Sequence, residues 1–226
     1  MSLVSSRRPS LDYKNYAFDL DGTLVDSLPV HAKCFKYVLE QFLPAALEHF
    51  DYSRFLGWKT IDVFRALNLH EDGQIAKLTA AKQACYQEAV KHGQVRPFAG
   101  VMETLQLLRN KGRSLYVITG GTRRSTLEIL ETCGFAKYFS GVVCGEDVHA
   151  SKPDPEPFLY ALSHFGLRNQ DVLTVEDSAS GAVASEQAGI CAVMVNTSNP
   201  DCDRLCFRAF TDLLQALRNS LCNEVT

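Results

Sequence analysis

The chain has 226 residues, enough for one good core, or for one core carrying a smaller accessory domain. Its 46% apolar and 22% charged content is that of an ordinary globular protein and excludes a disordered or fibrous chain. A net charge of −3 offers no general attraction to nucleic acid or to an anionic membrane, so any binding of phosphate has to be local.

Residues 1–13 mix Ser, Arg and Pro without periodicity and read as a loose leader. The run 16–20 is apolar and too short for a surface helix. It reads as a buried strand that carries Asp19 and Asp21 to one edge of a sheet, the edge where open α/β folds bind ligands. Ser27 is placed to cap a helix over 28–43, with Pro29 tolerated in its first turn. Helical patterning follows over 59–69 and 74–91, and no strand signal interrupts it.

The next convincing strand, 114–119, begins more than 90 residues after the first, whereas a parallel crossover needs about a dozen. The surplus, 28–96, is therefore expected to be an inserted helical cap that leaves beside Asp26 and returns near Arg96-Pro97-Phe98-Ala99-Gly100. A helical lid rooted beside the carboxylates can cover them and exclude water. From Gly100 onward a helix over 101–111 feeds the strand 114–119, and a helix over 122–133 leads to a short strand at 141–144. Helices over 155–165 and 180–188 precede strands at 171–175 and 190–195, and an amphipathic helix over 211–218 closes the chain. This alternation predicts an α/β fold: a Rossmann-like three-layer core with a parallel sheet over 14–27 and 97–226, plus the all-helical cap.

The eight cysteines, at 34, 85, 133, 144, 191, 202, 206 and 222, are scattered through mostly apolar segments and read as buried thiols. Cys202 and Cys206 have no second pair and no nearby histidines, which argues against zinc. No apolar run approaches the roughly 18 residues of a membrane span, and the N-terminus lacks a signal-peptide core, so the expected location is cytoplasmic.

Four segments carry candidate chemistry. In Phe18-Asp19-Leu20-Asp21-Gly22-Thr23 the two acids would share a face of a continuing strand, so that one could attack while the other handles a proton. A hairpin turn at Asp21-Gly22 is the alternative. A calcium loop is excluded, because the frame that makes Gly22 sixth puts Ala17 first and Leu28 twelfth. Thr119-Gly120-Gly121-Thr122 offers a hydroxyl and backbone N–H groups ahead of a helix, a combination that suits an anion. Lys152 sits in a stiff Pro-bounded loop, and Glu176 and Asp177 directly follow an apolar strand. Surface lysine and helix cap are the plain readings of these last two.

Taken in order, Asp19 and Asp21, Thr119, Lys152, then Glu176 and Asp177 resemble the four motifs of the haloacid dehalogenase superfamily, in its phosphatase and β-phosphoglucomutase-like branch with a helical cap. The resemblance implies a catalytic set of Asp19 as nucleophile, Asp21 as acid/base and Lys152. It implies phosphate binding by Thr119, Gly120 and Lys152, and Mg²⁺ held by Asp19, Asp177 and the backbone carbonyl of Asp21. Glu176 would stand behind the metal and order its water. Gly120 departs from the Asn common at that place in many relatives. His31, twelve positions after Asp19, matches a histidine of that branch, and Trp58 and Lys59 lie in a segment resembling its substrate loop.

The implied activity is a Mg-dependent phosphatase acting on a small phosphorylated metabolite, of sugar phosphate or phosphoglycolate type, through an aspartyl-phosphate. A β-phosphoglucomutase-like phosphotransferase and a non-catalytic phosphate-binding regulator are the alternatives. Neither nucleic acid nor membrane is an expected partner, and the chain is expected as a monomer or weak homodimer.

Overall fold

A computed structural model describes residues 11–69, 71–197 and 204–222. β1 (Asn15–Phe18) lies at the centre of a six-stranded sheet between β4 (Ser114–Ile118) and β6 (Val172–Glu176), with both pairings parallel. β5 (Gly141–Val143) extends the sheet beyond β4, and β7 (Cys191–Met194) and β8 (Leu205–Cys206) extend it beyond β6, giving the order β5-β4-β1-β6-β7-β8. The helices α5 (Val101–Asn110), α6 (Arg123–Thr132), α7 (Glu156–Phe165), α8 (Ala179–Gln187) and α9 (Phe210–Cys222) supply the crossovers and the cover.

Period-two alternation divides the strand side chains between two apolar clusters. Tyr16 and Phe18 of β1, Leu115 and Val117 of β4, and Leu173 and Val175 of β6 enter one cluster with Val101, Leu105, Phe210 and Leu213 of α5 and α9. Ala17, Ile118 and Val172 enter the other, with Phe158 of α7 and Ala184 of α8. Apolar residues on both faces are what a parallel sheet between two helix layers requires.

The all-helical insertion leaves after β2 (Val25–Asp26) and returns at β3 (Arg96–Pro97), and these two strands pair antiparallel as a short stem. Between them lie α1 (Leu28–Phe42), α2 (Pro44–Leu47), a 3₁₀ turn over Tyr52–Phe55, α3 (Thr60–Ala66) and α4 (Asp72–Lys91). Phe35, Val38 and Leu39 of α1, Val63 and Phe64 of α3, and Ile75 and Leu78 of α4 form a separate apolar cluster. No helix among the described residues is long and apolar enough to cross a membrane.

Four sequence expectations need correction. Of the leader read over 1–13, residues 1–10 lie outside the described residues, while Leu11 is buried and its carbonyl accepts a hydrogen bond of 2.5 Å from Tyr16 Oη. Ser27 does not cap α1 through its side chain, because its hydroxyl is used elsewhere. β8, too short to show a pattern, was not anticipated. The thiols are not uniformly buried and free: Cys191 is exposed, and Cys206 is disulfide-bonded. Cys202 and the side chain of Cys222 lie outside the described residues.

Candidate active site

The parallel register explains why distant segments meet. Phe18 is level with Val117 on one side and Val175 on the other, so the chain positions just after them, Asp19, Ile118 and Thr119, Glu176 and Asp177, emerge together at the C-terminal rim. Lys152 reaches the same place from the loop before α7. Its Nζ lies 2.8 Å from Asp19 Oδ1, 2.5 Å from Glu176 Oε1 and 2.9 Å from the carbonyl oxygen of Ile118, so each ammonium proton has an acceptor. The side chain of Lys152 is 1% exposed, those of Asp19 and Glu176 5% and 0%.

Burial alone would lower the pKa of Lys152, but the charges of Asp19 and Glu176 outweigh it and hold the ammonium charged. Burial raises Asp19 and Glu176 against the pull of Lys152. Asp177 is pushed up to about 7, first by burial and then by the charge of Asp19. One carboxylate oxygen from each of Asp19, Glu176 and Asp177 lies within 4.8 Å of the others. Three acids, Asp19 and Glu176 buried and Asp177 half-buried, facing a single lysine leave negative charge uncompensated, and an all-oxygen donor set of this kind suits a hard divalent cation such as Mg²⁺.

The turn after Asp19 is built around that cluster. Gly22 has φ +87°, and a Cβ there would collide with the Asp177 carboxylate. Thr23 Oγ1 donates to Asp177 Oδ1 at 3.1 Å, and Asn196 Nδ2 donates to the carbonyls of Gly22 and Thr23 at 2.9 and 3.1 Å. Asn196 was not singled out from sequence, since a lone Asn after a strand carries no local pattern.

Asp21 does not share the surroundings of Asp19, because β1 ends at Phe18 and the chain turns. The insertion holds it instead. Ser27 Oγ and Tyr86 Oη donate to Asp21 Oδ1 at 2.6 and 2.7 Å, and His31 Nε2 stands 3.0 Å from the same oxygen. Burial would raise the pKa of Asp21, but His31 and the two hydroxyls outweigh it and keep the carboxylate ionised. Burial, reinforced by Lys82, lowers His31, so near neutral pH the two hydroxyls carry much of this effect. Lys82 Nζ is 2.6 Å from His31 Nδ1, and burial brings its pKa down to about 8. The rings of His31 and Tyr86 stack with centroids 3.9 Å apart.

Tyr86 and Lys82 were missed at the level of sequence, yet a signal existed. Positions 75, 78, 82, 86 and 89 make one buried stripe of α4, and a lysine on an apolar stripe needs a partner.

On the opposite wall Thr119 Oγ1 accepts from the N–H of Gly121 at 3.0 Å, which leaves its own proton available to a ligand. Gly120 and Gly121 line the cavity beside it. A Cβ on Gly120 would stand 2.9 Å from the carbonyl oxygen of Gly57 in the insertion, which explains a glycine at this position physically. Trp58 lines the cavity and packs edge-on against Phe55 at 5.6 Å. Lys59 does not reach it. Its Nζ donates to the carbonyls of Val148 and His149 at 2.6 and 2.9 Å, and so ties the insertion to the core. Ser180 Oγ adds a second tie, to the carbonyl of Leu56 at 2.6 Å. The cavity left between is about 30 Å³, room for water but not for a phosphate ester.

Comparison with known proteins accords with this geometry. A family profile described as haloacid dehalogenase-like hydrolase matches residues 16–195. A phosphoglycolate phosphatase from Haemophilus influenzae is 32% identical over 91% of this chain and 98% of its own length. Among solved structures, CbbY from Rhodobacter sphaeroides in complex with phosphate superposes with a TM-score of 0.75 at 21% identity, covering 89% of this chain and 96% of that one. A hydrolase from Pseudomonas syringae does so with a TM-score of 0.80 at 22% identity, covering 92% and 99%. These two likenesses establish the fold.

Proposed function

The chain belongs to the haloacid dehalogenase-like hydrolases and is a phosphoric monoester hydrolase, and from that premise we propose that it cleaves a small phosphorylated metabolite through an aspartyl-phosphate on Asp19, with Mg²⁺. Phosphoglycolate is the first substrate to test, because it gives the Haemophilus influenzae relative its name. The cap is taken as 28–96 on a core of 14–27 and 97–226. The observation that carries the reading is the contact of Lys152 with both Asp19 and Glu176, buried at the rim where Thr119 and Asp177 also emerge.

A carboxylate meeting a phosphate dianion at about 4 Å faces roughly 8 kcal/mol of repulsion at an effective dielectric near 20. Left uncompensated, that is worth about six decades in rate. Lys152 supplies one positive charge against it. Asp19, Asp177 and the carbonyl of Asp21 would hold Mg²⁺, which supplies two more charges and polarises the phosphoryl oxygens. Glu176, hydrogen-bonded to Lys152, keeps that ammonium charged and aimed at Asp19.

In the first half-reaction an Asp19 oxygen attacks phosphorus while Thr119 and the N–H of Gly120 hold the phosphoryl group; the negative charge of the arriving phosphate raises the pKa of Asp21 against the pull of its hydroxyl donors, so that Asp21 takes up a proton from water with the substrate and gives it to the departing alkoxide. In the second, Asp21 takes a proton from the water that hydrolyses the acyl phosphate. Oδ1 of Asp21 is occupied by Ser27, Tyr86 and His31, while Oδ2 lies toward the Gly121 loop, 3.6 Å from where a Cβ on Gly121 would stand. Oδ2 is therefore the oxygen that carries the proton.

The test is phosphate release across a panel of phosphorylated metabolites, phosphoglycolate included, with and without Mg²⁺. Release that requires Mg²⁺, and loss of both turnover and trapped phosphoenzyme in Asp19→Asn, is the expected result. Full activity in Asp19→Asn would refute the aspartyl-phosphate route, and isomerised product without free phosphate would favour the phosphotransferase.

A further inference from the structure

α1 and α4 lie side by side, and their facing layer is fixed by named contacts. His31 stacks on Tyr86, and Lys82 Nζ sits 2.6 Å from His31 Nδ1 and 4.8 Å from the centre of the Phe35 ring. Cys34 falls between His31 and Phe35 on α1, and Cys85 falls between Lys82 and Tyr86 on α4. The helical period therefore sets both thiols on the flank of that layer, where Cys34 lies in the buried core cluster and Cys85 packs against it. Both are free thiols; Cys34 is buried and Cys85 is half-buried. No step of the hydrolysis uses either cysteine.

From this juxtaposition we infer that Cys34 and Cys85 are a peroxide-oxidisable pair, and that a disulfide joining α1 to α4 slows the enzyme. Burial pushes the Cys34 thiol up to about 12, so it stays protonated and Cys85, within reach of solvent, reacts first. The Cys85 sulfur takes one oxygen from hydrogen peroxide, giving a sulfenic acid and one water. The Cys34 sulfur then attacks the Cys85 sulfur, the S–O bond breaks, and the hydroxyl leaves with the Cys34 proton as a second water. Two thiols and one peroxide thus give one disulfide and two waters, with two electrons passing from sulfur to peroxide.

An S–S bond of about 2.05 Å is far shorter than any contact between two thiols, so its formation draws the helices together at this layer. His31 and Tyr86 share the layer and both touch Asp21 Oδ1. A misplacement of about 1 Å at a catalytic group costs on the order of 10²-fold in rate, so a fall of at least about tenfold is expected here.

The experiment treats the reduced full-length protein with hydrogen peroxide, alkylates the remaining thiols, and maps non-reduced peptides by mass. In parallel it follows p-nitrophenyl phosphate hydrolysis with Mg²⁺. Expected are a linked peptide pair carrying Cys34 and Cys85, a rate loss reversed by dithiothreitol, an untreated rate unchanged in Cys85→Ser but insensitive to peroxide, and full sensitivity in Cys191→Ser. Alkylated Cys34 and Cys85 after treatment would overturn the pairing, and an equal rate loss in Cys85→Ser, or a linked protein at full rate, would overturn the control. The peptide map needs no turnover, so it stands even if the phosphatase reading fails.

Discussion

At the scale of single residues, Gly120 separates this chain from the pattern it otherwise matches. Its backbone does not have the positive φ that by itself demands glycine, so the constraint comes from the 2.9 Å approach to the carbonyl of Gly57. Gly120→Asn should therefore fold normally but keep the cap from seating. We expect kcat/KM to fall by roughly 10²-fold, the cost of misplacing a catalytic group by about 1 Å, while the thermal midpoint stays near that of the parent. Unchanged kinetics would mean that Gly57 lies elsewhere during turnover. Lys152 makes the complementary point: its type and loop were legible from Ser151-Lys152-Pro153, but its pairing with Glu176 was not, because Glu176 was read only as a group behind the metal.

Among the elements, the part of the cap far from the stem is held by its own cluster, while Val30 and Cys34 of α1 and Tyr86, Ala89 and Val90 of α4 join the core cluster of the sheet. Phe64 of α3 is fully buried there, between Phe35 and its neighbours on α1 and α4. Phe64→Ala removes a large side chain from a close-packed interior, and we expect a loss of about 3–5 kcal/mol, read from urea unfolding. Because that distal cluster is separate, hydrogen exchange in α3, in the C-terminal half of α1 and in the N-terminal half of α4 should accelerate before exchange in β1, β4 and β6 does. Simultaneous loss of protection everywhere would show that cap and core unfold as one unit. The long helices were legible from sequence because each spans several turns of amphipathic pattern. The pairs β2–β3 and β7–β8 were not recognised as such, since two residues make no pattern and their partners are set by the fold.

For the whole molecule, the excess of acid at the rim couples stability to pH and to cation. Asp177, raised to about 7, binds a proton in the metal-free fold at pH values where the unfolded chain, near 3.8, has released it. The folded state then carries more protons across that window, so this contribution to stability falls as pH rises through it and levels off above about 7. Asp19 and Glu176 are shifted in the same direction. Asp21, shifted the other way, acts only below the ordinary aspartate range. We expect the thermal midpoint in EDTA to be lower at about pH 8 than at about pH 5.5, and Mg²⁺ at 100 times its Kd to add about 2.7 kcal/mol at the higher pH. A midpoint indifferent to both would mean that these carboxylates share no cation.

By itself the sequence determined the parallel α/β core, the interruption after its first strand, and the order of acids, hydroxyl and lysine along the rim. Each of these is written in a few adjacent residues: an apolar run for the strand, and the polar residues that follow it for the site. Only the tertiary structure decided that Tyr86, 65 positions from Asp21, closes over it, that Lys82 backs His31 from 51 positions away, and that Lys59 turns to the carbonyls of Val148 and His149. Those contacts depend on how helices pack on one another and on the sheet, a sum of many weak apolar contacts that no short stretch of chain contains.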